Sequence, residues 1–205
     1  MVPYEGLLNV HELATLIEEK KIPGAFVECG VWKGGCSALM AEAAKKGGEG
    51  RLTWMFDSFE GLPQPTEIDG AEAKKMARNR IAGEMKPIGE LVGTLENTQT
   101  ILEKFKIDRT KVRIVKGWFQ DTLPKNRAGI GPIALLRLDG DWHESTRTCL
   151  ENLFDQVVPG GYIIIDDYGH WEGCKKAVDA FLSARRLNVE LIKAGYAVVY
   201  FQKPQ

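Results

Sequence analysis

The sequence predicts an α/β fold, a three-layer sandwich around a seven-stranded, mostly parallel sheet with one antiparallel strand, and three observations predict it. Short apolar runs alternate with helical patterns along the chain, as βαβ units require. The last two runs are joined only by Lys193-Ala194-Gly195-Tyr196, too short for the crossover between parallel neighbours, so they form a hairpin. The first run, ending in Val27-Glu28-Cys29, leads into a glycine turn, where nucleotide cofactors lie in sheets of this kind.

The strand-like runs are 25–29, 52–56, 112–115, 133–138, 162–165, 189–192 and 197–201. Helical patterns cover 11–20, 36–46, 88–105, 145–154 and 171–186. In the last of these, Cys174, Val178, Phe181 and Leu182 recur at i, i+4, i+7 and i+8, which is one helix face. The stretch 61–93 is charge-rich and weakly periodic, and reads as a lid inserted into a single domain that spans 1–205, behind an N-terminal helical segment at 1–22. A mostly parallel sheet that ends in one antiparallel strand is the architecture of Rossmann-like, class I methyltransferases, whereas NAD-binding Rossmann domains end in parallel strands.

Composition narrows the class. With 205 residues, 44% of them hydrophobic, the chain can bury one sizeable core without stapling. A formal net charge of -1 gives no polyanion-binding surface, so nucleic acid is set aside as a partner. The four cysteines form no C-x-x-C pair and the three histidines lie far from any such pair, which argues for buried thiols in a reducing compartment and against zinc. Neither a leader peptide nor a bilayer-length apolar stretch is apparent, and a cytoplasmic protein with no membrane partner is the expectation.

The glycine turn Gly30-Val31-Trp32-Lys33-Gly34-Gly35 departs from G-x-G-x-x-G and contains no P-loop. Gly30 and Gly34 let the backbone approach a ligand, and the N–H groups near Gly35 to Ser37 open the next helix. Glu28 closes an otherwise apolar strand, where burial without a partner costs several kcal/mol, on the order of the transfer penalty for a polar group. S-adenosylmethionine offers it a sulfonium and an ammonium. Asp57, followed by Ser58, ends the second strand, where an acid can accept from ribose hydroxyls, although the same residue can simply form a turn. After the third strand, Gly117-Trp118-Phe119-Gln120 offers aromatic faces and a polar edge for an adenine, or else packs in the core.

The strings Val27-Glu28-Cys29-Gly30, Asp57-Ser58-Phe59-Glu60-Gly61-Leu62-Pro63, Gly117-Trp118-Phe119-Gln120-Asp121, Leu136-Arg137-Leu138-Asp139-Gly140-Asp141 and Ile165-Asp166-Asp167-Tyr168 resemble the macrocin O-methyltransferase (TylF-type) family, over about 23–186. The resemblance implies methyl transfer from S-adenosylmethionine to a hydroxyl of a small molecule, commonly a sugar or aromatic ring of a natural product, with magnesium. It also implies Glu28, Gly30, Val31, Trp32, Gly34, Gly35, Ser37, Asp57, Ser58, Gly117 to Gln120 and Asp139 as the donor site. Family members tend to have a longer segment before the first strand, so the acceptor pocket and homo-oligomer formation stay open.

Acids at two neighbouring strand ends repel one another unless a cation intervenes, which makes a divalent ion the economical reading. Strand alternation sends Asp166 and Asp167 to opposite faces, so both reach one ion only if the strand has ended and the chain is turning. The resemblance implies Asp139, Asp166 and Asp167 as ligands, a hard oxygen set suited to Mg²⁺. Against this, Asp166 or Asp167 can cap the helix near Trp171, and Asp141 the one near Glu144. A general base for the acceptor hydroxyl is sought first in His143 and then in Asp141, although the family commonly has Tyr at the position of His143. Two other readings are a non-catalytic S-adenosylmethionine- or nucleotide-binding module and a metal-dependent phosphatase. Glu28 and Asp57, which would repel phosphate, argue against the second.

Overall fold

Strands β1 (Ala25–Cys29), β2 (Thr53–Asp57), β3 (Val112–Lys116), β4 (Ile133–Leu138), β5 (Val157–Ile165), β6 (Ile192–Lys193) and β7 (Val199–Gln202) form one sheet ordered β3-β2-β1-β4-β5-β7-β6. The structure is a computed structural model that describes residues 2–48, 50–78, 80 and 82–204. Strands β1 to β5 pair in parallel, and β7 runs antiparallel to both β5 and β6. The four-residue link between the last two runs therefore does what its length required.

Helices α1 (Tyr4–Glu19), α2 (Gly35–Gly47) and α4 (Leu95–Lys104) cover one face, while α5 (Phe119–Ile130), α6 (His143–Leu153) and α7 (Glu172–Ala184) cover the other. Phe26, Leu135 and Ile164 point to the first layer, and Val27, Leu136 and Ile163 to the second. Because both faces are covered, the central strands read as unbroken apolar runs rather than alternating ones.

The helix at α5 is absent from the sequence reading. Pro124 inside it removes a backbone donor, and only Thr122, Leu123 and Ile130 are buried, so the sequence shows no apolar stripe there. Helix α4 starts at Leu95, not 88, because Thr94 and Asn97 form a reciprocal capping box that stops propagation backwards. Helix α1 begins earlier than expected, after Pro3. Strand β6 is cut to two residues at the sheet edge, whereas β5 extends back to Val157.

The expected lid at 61–93, of which 79 and 81 lie outside the described residues, folds over the carboxyl ends of the strands. It contains a short helix α3 (Gly70–Met76) and a Pro63–Pro87 bridge, and it buries Leu62, Ala73 and Ile88. Two long-range bonds attach it to α6: Trp142 Nε1 donates to Pro63 O at 2.9 Å, and the His143 N–H donates to Asp69 Oδ1 at 2.7 Å. Gly173 makes this approach feasible, since a Cβ there would lie 2.0 Å from Asp69 Oδ1.

Candidate active site

Parallel ladders carry one hydrogen bond past the strand ends and line up the next residues along the carboxyl edge. Asp139 N donates to Cys29 O at 2.8 Å, Asp166 N to Leu138 O at 2.9 Å, and Gly117 N to Asp57 O at 2.9 Å. Strand order reverses between β1 and β4, and a crevice at such a switch point is where ligands bind in open α/β sheets. Here it is a cavity of about 450 Å³, walled by strand ends, lid, N-terminus and the β6–β7 turn.

On the donor side the wall includes Gly30, Trp32, Asp57, Ser58 and the run Gly117 to Gln120. Gly30 has φ +92°, and a Cβ there would sit 1.8 Å from Asp139 O, so only glycine lets β1 turn this close to β4. The Asp57 carboxylate shapes the turn: Oδ2 accepts from Val31 N (2.7 Å) and Trp32 N (2.9 Å), and Oδ1 from Phe59 N (2.6 Å). Burial pushes the Asp57 carboxyl up, opposed by those three N–H groups. Asp57 nonetheless lines the cavity, so its carboxylate is part of the donor-side wall as well as of the turn. Trp32 at φ +48° and Asp141 at φ +57° hold left-handed backbone on the cavity rim, a cost that persists only where surrounding structure enforces it.

Several expected donor residues lie behind this wall. Val31, Gly34, Gly35 and Ser37 build the turn and the start of α2 without lining the cavity. Glu28 requires a correction. It is 1% exposed and off the cavity wall, and its cationic partner belongs to the chain: Arg137 Nη1 donates to Glu28 Oε1 at 2.6 Å, while Ser37 Oγ donates to Oε2. Burial raises the Glu28 carboxyl to about 7, with Arg137 and Ser37 opposing the shift.

The acidic edge gathers as the sequence suggested. Strand β5 ends at Ile165 and the chain bends through Asp166 and Asp167, which brings both toward Asp139. One oxygen from each of the three lies within 4.8 Å of the others. Neither Asp166 nor Asp167 caps α7, and Asp141 does not cap α6. Instead Asp167 Oδ2 accepts from Asp141 N at 3.0 Å, and Asp141 Oδ1 accepts from Trp171 Nε1 at 2.8 Å.

Crowding shows in the proton affinities. Burial, then repulsion from Asp166, raises Asp139 to about 6; burial, then repulsion from Asp139, raises Asp141 to about 8. Asp167 is pushed well up by burial and by Asp141 and Asp139. Among the described residues one cation, Arg137, touches this cluster, at 2.9 Å from Asp139 Oδ2 and 2.5 Å from Asp166 Oδ1. All-oxygen donors with a surplus of negative charge fit a divalent ion.

The expected base His143 does not line the cavity; its backbone N–H caps α6 against Asp69. Asp141 does line it, together with His170, which no sequence feature singled out. The other unread residue is Arg137, an arginine between leucines in a fully buried strand. That pattern alone signals a buried ion pair.

A crevice at the β1/β4 switch point, under a sheet with one antiparallel strand near its edge, is the architecture of a class I S-adenosylmethionine-dependent methyltransferase. Comparison with known proteins agrees. The macrocin O-methyltransferase (TylF) profile matches residues 1–203, and the chain belongs to that family. It is 35% identical over 204 residues, covering 99% of this chain and 75% of the relative, to demethyldecarbamoylnovobiocin O-methyltransferase of Streptomyces niveus. It is 38% identical over 179 residues, 87% of this chain and 65% of the relative, to 8-demethyl-8-(2,3-dimethoxy-α-L-rhamnosyl)-tetracenomycin-C 4'-O-methyltransferase of Streptomyces olivaceus. Among solved structures, the O-methyltransferase NovP superposes with TM-score 0.84 at 34% identity, over 98% of this chain and 80% of that one. An S-adenosylhomocysteine-bound methyltransferase from Podospora anserina shares the fold at TM-score 0.60 and 13% identity, over 100% of this chain and 89% of that one. No helix among the described residues is long and apolar enough to cross a membrane.

Proposed function

We propose that the enzyme methylates a hydroxyl of a neutral natural-product acceptor, on a sugar or an aromatic ring, beside a Mg²⁺ ion held by Asp139, Asp166 and Asp167. The observation that carries this reading is the trio of carboxylate oxygens within 4.8 Å of one another at the floor of the donor cavity. When bound, S-adenosylmethionine supplies an activated methyl and the ion acidifies an acceptor hydroxyl. The relatives' names include a rhamnosyl 4'-hydroxyl, which supports sugar acceptors.

The chain's own residues supply placement. Five aspartates (57, 139, 141, 166 and 167) and neither lysine nor arginine line the cavity among the described residues, so an anionic acceptor is repelled. Lys74 of the lid pairs with Glu67, Lys86 with Glu84, and Arg80 turns inward to Ala77 O and Ile88 O. Met76, Met85, Pro63 and Trp171 offer an apolar wall for the acceptor's body. Asp141 Oδ1 is taken by Trp171, which leaves Oδ2 to receive the acceptor's proton. His170 is exposed at the same wall. With lid closure over the strand ends, these contacts hold oxygen and methyl carbon in line and exclude water. Four free buried thiols support a reducing, cytoplasmic setting.

The test is product formation from S-adenosylmethionine across a panel of aryl rhamnosides and catechols, followed by mass spectrometry with Mg²⁺ or EDTA. EDTA and Asp166→Asn are each expected to abolish turnover while S-adenosylhomocysteine still binds in calorimetry. Turnover untouched by EDTA, or donor affinity lost with Asp166→Asn, would remove the metal from the reading.

A further inference from the structure

Arg137 sits directly opposite Glu28 in the parallel pairing of β1 with β4, and both point into the α1/α2 layer beside Ser37. Its side chain is 1% exposed. One nitrogen, Nη1, reaches Glu28 Oε1 at 2.6 Å and Asp139 Oδ2 at 2.9 Å, and Nη2 reaches Asp166 Oδ1 at 2.5 Å. Each carboxylate of the trio is thus anchored through one oxygen: Asp139 and Asp166 by Arg137, and Asp167 by the Asp141 N–H. In each pair the second oxygen has no donor among the described residues. The planar fork holds its donors at two fixed nitrogens, Nη1 for Glu28 and Asp139 and Nη2 for Asp166, whereas a lysine ammonium presents all three of its donors from one compact point.

We propose that Arg137 is a positioning residue for the divalent-ion site: it anchors Asp139 and Asp166 by one oxygen each and, through Glu28, links that site to the donor-side turn at Gly30. The proposal rests on reading the acidic trio as that site. Groups that orient ligands from behind typically change metal affinity about 10- to 100-fold when lost. A role confined to neutralising buried charge would move folding stability and leave metal affinity alone.

Calorimetric titration of Mg²⁺ into Arg137→Lys, which keeps the charge and loses the fork, is expected to show affinity at least about tenfold below wild type. Equal affinities would overturn the proposal. Glu28→Gln guards against a variant that fails to fold, since the amide oxygen still accepts from Arg137. Among the described residues Glu28 bonds only Arg137 and Ser37 through its side chain. Removing its charge leaves the guanidinium to Asp139 and Asp166, and Mg²⁺ affinity is expected to fall about threefold or more. An unchanged titration would deny the link. A wild-type protein that takes up no Mg²⁺ would sink the metal reading itself. The crystal structure of Arg137→Lys grown in EDTA then still decides: the proposal requires the three carboxylate oxygens to leave their 4.8 Å cluster, and an undisturbed trio overturns it.

Discussion

Asp69 is the most informative residue to perturb away from the chemistry. It is 2% exposed, and its carboxylate accepts from His143 N at 2.7 Å, Thr66 N at 2.7 Å and Thr66 Oγ1 at 3.0 Å. Those bonds fasten the lid to the first turn of α6, where a negative charge also meets the helix dipole. Asp69→Asn keeps the shape but turns an NH₂ group toward at least one N–H. With bonds to a charged acceptor contributing roughly 1.5–3 kcal/mol each and an orphaned donor adding to the loss, the cost is about 2–4 kcal/mol. If the lid and body unfold together, Tm drops by about 5–15 °C for a chain of this length. If the lid opens alone, its opening constant rises about 30- to 700-fold, and trypsin cuts faster at Lys74, Lys75, Arg78 or Arg80. Thermal melts and timed trypsin digestion read both outcomes, and calorimetry with S-adenosylhomocysteine is expected to change little, because Asp69 does not line the cavity. An Asp69→Asn protein with wild-type Tm and wild-type cleavage rate would refute the lid attachment.

Other expectations follow from the same geometry. Gly30→Ala forces a Cβ to within 1.8 Å of Asp139 O at φ +92°, and urea unfolding should show a loss of about 3 kcal/mol or more, if the protein accumulates at all. Metal-free protein should lose stability as pH rises from about 5 to 8. Asp139, Glu28 and Asp141 are raised to about 6, 7 and 8, so between the unfolded carboxylate range and those values the folded state holds more protons, and stability falls with pH. A melting temperature in EDTA that climbs over that interval would contradict the assignment. Trp171→Phe removes the N–H that lowers the Asp141 carboxyl, so the acidic limb of the kcat/KM profile should move to higher pH; a fixed limb would argue against Asp141 as the base.

Local physics made much of this protein legible in its sequence. Apolar runs bounded by turns located the central strands because those strands are buried on both faces. The link from Lys193 to Tyr196 required antiparallel pairing because four residues cannot span a crossover. Acids placed just past strand ends had to meet, since parallel strands align their carboxyl ends. Contacts between distant segments remained hidden. That Glu28 faces Arg137 depends on β1 and β4 being neighbours in one register, across 109 positions of chain. The lid's hold on α6 through Asp69, and the choice of His170 over His143 as the histidine on the wall, likewise come from packing of segments far apart. Periodicity reports how much of a residue is buried, whereas the partner that makes a buried charge tolerable is chosen only when the layers close.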